Sequence, residues 1–158
     1  MSTFHLPPGV PGLIVGLGVF PVIGLPVYLS LAEGPFNLDP RDLWNAFEPF
    51  LAKYLRLGEF IVGLATGSIV LLVGSSALRG QGLALPWYYA SPLYVLCSCV
   101  LWGIGFMVWL TYHYDDYQHG ETKHTKKAYA LSLTLGFSAL FCFLLGYAWL
   151  IFMVTMQR

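Results

Sequence analysis

The chain has 158 residues, of which 57% are hydrophobic, 16% aromatic and only 10% charged, and its eight basic residues balance eight acidic ones. Soluble domains carry about 25% charged residues, so this chain lacks the groups to cover a water-facing surface, and a mean hydropathy of +0.67 agrees. An ordinary water-soluble enzyme, a disordered tail and a nucleic-acid binder are thereby excluded, the last because balanced charge sets up no field to steer a polyanion.

A helix needs about 20 apolar residues to cross a hydrocarbon core of ~30 Å. Four stretches meet that length, at about 10–31, 58–78, 89–112 and 128–155. The first contains Gly12, Gly16, Gly18, Pro21, Gly24 and Pro26. Proline removes an intrahelical donor and crowds the preceding turn, and in lipid the released carbonyls need partners within the protein. The expectation is a kinked span packed on its neighbours, with a broken or re-entrant segment as the alternative. No basic residue precedes this run and no small-x-small site follows it, so a cleavable signal peptide is not expected.

Asp39-Pro40-Arg41-Asp42 reads as a helix start, with Asp39 as cap and Pro40 in the first turn. Behind it Leu43, Phe47, Phe50, Leu51 and Tyr54 recur at helical spacing. That pattern predicts an amphipathic interfacial helix over about 40–54, bent at Pro49 and leading into the second span. Glu59 stands about one turn inside that span, where it could meet His113 or a lysine at one depth. An acid there is a candidate proton or ion-pair site. Gly63 and Gly67 follow as a GxxxG pair, of the kind that lets helices approach closely in lipid. Gly12 with Gly16 and Ser132 with Gly136 repeat the pattern.

Trp87, Tyr88 and Tyr89 form an aromatic anchor before the third span. Within it Cys97 and Cys99 are about 200° apart around the helix, so they share neither a disulfide nor a ligand face. Together with Cys142 they read as packing residues. Trp102, Phe106 and Trp109 make one bulky ridge, expected to pack in the core. Met153 and Met156 are soft donors without a third partner.

The densest polar segment joins spans three and four. It holds His113, Asp115, Asp116, His119, Glu121 and His124, nitrogen and oxygen donors suited to zinc, iron or manganese. If helix continues to 119, Asp115 and Asp116 each share a face with His119. His113, Asp115, Asp116, His119 and His124 are therefore the metal candidates, although no fixed-spacing motif such as HExxH is present; the plain expectation is a solvated loop. No histidine lies at mid-span to hold a haem, no carboxylate lies there for proton-coupled export, and no GxSxG stands out.

Arg41, Lys53, Arg56, Lys123, Lys126 and Lys127 fall in or beside the segments following spans one and three, against only Arg79 and Arg158 on the other side. That bias places loops 32–57 and 113–127 in the cytoplasm and both termini outside.

The fold class is an all-α integral membrane bundle of four transmembrane helices plus the interfacial helix, in a single domain. The expected function is that of an accessory, assembly or structural subunit of a larger membrane complex or homo-oligomer, without enzymatic activity or cofactor. Its expected partners are the lipid bilayer and another membrane protein or a second copy, with no nucleic acid. The alternatives are a metal-dependent oxidoreductase or hydrolase at the His/Asp/Glu cluster with a divalent metal, and a small carrier or channel built on an interrupted first span.

Overall fold

Every backbone polar group must be satisfied inside a bilayer, and a helix does this within one segment. The four apolar runs accordingly form four helices in a computed structural model, which describes residues 9–30, 47–74, 90–118 and 126–156. These are α1 (Val10–Ser30), α2 (Phe47–Gly74), α3 (Ala90–Gln118) and α4 (Lys126–Met156). All four are long and apolar enough to cross a membrane, and there is no strand among the described residues. The protein is thus an all-helical, multi-pass membrane bundle.

α1 is one continuous helix through Pro21 and Pro26, about 31 Å long, so the broken segment considered above does not form. The prolines cost Leu17 and Val22 their intrahelical donors. Next to Leu17, the Gly16 carbonyl accepts the Trp102 Nε1–H from α3 at 3.0 Å and the Cys142 thiol from α4 at 3.5 Å. These bonds tie α1 to both neighbours one residue before the first carbonyl that the prolines deprive of its donor.

α2 differs from expectation at its start. Residues 47–54, the last part of the predicted interfacial helix, are the first two turns of α2 itself and run without a break into the span. The helix is continuous through Pro49. Residues 40–46 lie outside the described residues. α3 runs six residues past the predicted end at Tyr112, to Gln118. Its backbone ladder is indifferent to side-chain polarity, and the first strong helix breaker is Gly120.

α3 is the hub. It packs against all three other helices, most extensively against α4. Gly12 lies against the Ser91 backbone and Gly16 against Ser98, while Phe20 stacks on Trp102 with ring centres 4.8 Å apart. Residue numbers rise together in these contacts, so α1 runs parallel to α3. Against α4 they run oppositely, Gly16 meeting Cys142 and Gly24 meeting Thr134. α2 is antiparallel to α3, with Gly58 beside Met107 and Val62 over Gly103. The ends of α1 and α3 and the starts of α2 and α4 therefore share one end of the bundle.

Lipid tails are as apolar as leucine, so close packing must hold such helices together. The centre supplies it: Ala65, Val95, Cys99 and Cys142 are fully buried in one cluster with Ile61. Leu96 fills the notch left by Gly146, where an added Cβ would come within 2.7 Å of its methyl. The Trp102, Phe106 and Trp109 ridge faces inward as expected. Phe106 meets Tyr54 edge-on, and the Trp109 Nε1–H donates to the Ala128 carbonyl at 3.4 Å.

Candidate functional site

Of the titratable residues singled out in the sequence, His113, Asp115, Asp116 and Glu59 are described, and the bundle does not bring these four into one site. His113 packs edge-on against Trp109, its ring centre 4.4 Å from the indole. Asp116 follows three residues later, on the same side of α3, whereas Asp115 is rotated about 200° from His113 and is exposed. Among the described residues, no group of three or more His, Cys, Asp or Glu side chains could hold an ion. His119 and His124 lie outside the described residues. The helical register needed for the Asp115–His119 and Asp116–His119 pairs holds as far as Gln118.

Glu59 does not meet His113. Its neighbour Gly58 is level with Met107, which puts the Glu59 backbone about 10 Å deeper along the bundle than that of His113. It also points elsewhere. The face of α2 directed at α3 and α4 is marked by Leu51, Gly58, Ile61 and Ala65, all buried, whereas Glu59 is exposed.

That exposed side of α2 is the most unusual surface of the molecule. Arg56, Glu59, Gly63, Gly67, Val70 and Gly74 recur at three- and four-residue steps and are all exposed. Such steps place them on one stripe of the helix. Among the described residues, nothing stands within 4 Å of where a Cβ would be on Gly63, Gly67 or Gly74. Phe60, 64% exposed, and Leu71, 74% exposed, rise beside the stripe as a wall. The Gly63–Gly67 pair is therefore not an internal packing surface, in contrast to Gly12 with Gly16, which is. Ser132–Gly136 also faces inward, Gly136 lying against the Phe106 ring.

Two features were missed in the sequence. One is the role of the Gly16 carbonyl as acceptor for Trp102 and Cys142, which nothing local to Gly16 signals. The other is the bridge between Ser68 and Tyr147, whose hydroxyls hydrogen-bond across α2 and α4. Two hydroxyls in separate apolar runs are a legible hint of such a bond, but sequence does not pair them.

Comparison with protein-family models, with curated proteins and with solved structures finds no match to this chain.

Proposed function

We propose that the protein works by association: it is a small membrane subunit that presents the outward stripe of α2 to another transmembrane helix, with a second copy of itself as the best-fitting partner. The observation that carries this reading is the open glycine stripe. Glycine in a helix interior costs about 0.5–1 kcal/mol relative to alanine, and the stripe holds three glycines with none of the described residues packed on them. A facing helix offsets that cost through close backbone approach.

Glu59 favours the second copy. An exposed acid this far inside a span is costly against hydrocarbon, and Arg56 stands one turn away on the same stripe. In two parallel copies related by a two-fold axis, like residues stand at one level, and Arg56 of each chain is offset from Glu59 of the other by about 4.5 Å of helical rise, within reach of its long side chain, so the pairing is self-complementary. The balance of basic residues supports placing this polar end of the bundle in the cytoplasm and both termini outside. The small share of chain between the helices supports a role without catalysis.

Sedimentation equilibrium in density-matched neutral detergent tests the reading. Wild-type protein is expected to form a dimer that Gly63→Leu with Gly67→Leu converts to monomer, with the helical circular dichroism unchanged. A wild type that stays monomeric at every protein-to-detergent ratio, and that brings no other membrane protein with it from its native membrane, overturns the proposal.

A further inference from the structure

Towards the end of the bundle away from Glu59, α2 and α4 leave a groove between them. Leu71 and Leu72 form one wall, Leu150, Ile151 and Val154 the other, and it encloses about 400 Å³. The hydrogen-bonded Ser68 and Tyr147 hydroxyls tie the two helices together at its inner end. Ile151, 61% exposed, and Val154, 50% exposed, look outward from α4 although α2 stands beside them.

The groove adjoins the glycine stripe on one side only. Successive residues advance about 100° around a helix, so Leu71 stands about 80° to one side of Gly63 and Val73 about 80° to the other. Leu71 lines the groove, whereas Val73 is exposed on the opposite flank. A two-fold axis along the bundle exchanges flanks. In a parallel dimer seated on the stripe, Val73 of each chain therefore comes to the Leu71 side of the other. Like residues stand at one level there. Leu72 packs in one cluster with Leu150, which puts Val73 at the level of Ile151.

The crossing angle carries the second helix the rest of the way. Helices joined through GxxxG cross right-handed at about −40°. Viewed from the second copy with the α2 C-terminus up, such a crossing leans that copy's helix to the right. Residue angle on α2 also increases to the right, towards Leu71 and the groove. From the Gly63–Gly67 crossing to Val73 is about 12 Å of rise, over which the two axes part sideways by about 8 Å at that angle. A crossing of the opposite hand would lean towards α3 instead.

We infer that the interface between two copies extends from the stripe into this groove, Val73 of each chain seating against Ile151 of the other. The inference rests on the dimer proposed above and gives it a second contact, made by α4. The two-fold axis makes that contact twice.

Disulfide trapping in the full chain tests it, alongside the sedimentation measurement above. Val73→Cys and Ile151→Cys, both at exposed positions, are made in separate, differently tagged copies. These are mixed in neutral detergent and oxidised with copper phenanthroline. A covalent heterodimer is expected from the mixture, and none when either variant is mixed with wild type, which carries the same exposed Cys97. Val73→Cys mixed with Val108→Cys measures random collision, because Val108 is exposed near the other end of the bundle, and is expected to give no product. A dimer by sedimentation with no more product from the first mixture than from this control overturns the groove contact and leaves the stripe standing. A wild type that stays monomeric overturns both.

Discussion

The Gly12–Gly16 pair of α1 and the Gly63–Gly67 pair of α2 look alike as sequence and do opposite things. Gly12 and Gly16 are pressed against Ser91 and Ser98 of α3, with no space for a methyl group, whereas Gly63, Gly67 and Gly74 look onto open space. A small residue in a membrane helix marks a place where something can come close. Which side of the helix it occupies decides whether that something is the same chain.

The sharpest way to break this comparison is a single methyl group placed on each side. At Gly12 the added carbon meets a backbone carbonyl, which cannot rotate out of the way, so Gly12→Ala is expected to destabilise the fold by about 1–3 kcal/mol. Gly63→Ala meets nothing within the chain and is expected to stabilise the single chain by about 0.5–1 kcal/mol. Unfolding of the two variants in excess detergent, where association is suppressed, reads the sign directly; a loss of stability in both removes the distinction.

A smaller effect tests how α1 is held. Trp102→Phe keeps the ring stacked on Phe20 and removes the donor to the Gly16 carbonyl. A loss of about 1 kcal/mol is expected, with faster hydrogen exchange confined to the middle of α1. Unchanged exchange there means that the carbonyl is adequately served by Cys142 or by its own helix. Smallest of all is Tyr147→Phe, which breaks the α2–α4 bridge. Hydrogen bonds between membrane helices average ~0.6 kcal/mol, so a loss of about that size is expected in the same unfolding measurement, and one above 2 kcal/mol shows the bridge to be part of a larger network.

These contrasts also explain what could be read in the residues alone. The four spans were legible because bilayer thickness sets a length, and length is visible in a string. The inward ridge of Trp102, Phe106 and Trp109 was legible from its bulk and spacing. The orientation of Gly63 and Gly67 was not. In water a helix betrays its core side by alternating with polar residues, but in lipid Phe60 and Leu71 on the outside are as apolar as Ile61 and Ala65 on the inside. Glu59 and His113 were placed at one depth because sequence counts residues from a span's edge. Packing instead sets Gly58 against Met107, which leaves the backbones of Glu59 and His113 about 10 Å apart along the axis. For the metal candidates, only His113, Asp115 and Asp116 fall within the described residues, and the lone helix that carries them turns Asp115 away from the other two.

The bond from Trp102 to the Gly16 carbonyl joins residues 86 apart in the chain. A ribosome delivers α1 to the membrane long before it delivers α3, and every partner described for Gly12, Gly16 and Phe20 belongs to α3 or α4. Of the four helices, α1 is consequently the one that must wait longest for its partners. Its Gly16 carbonyl passes through that interval without the indole that later bonds it, so an exposed moment comes early, at a helix that looks finished in the completed bundle.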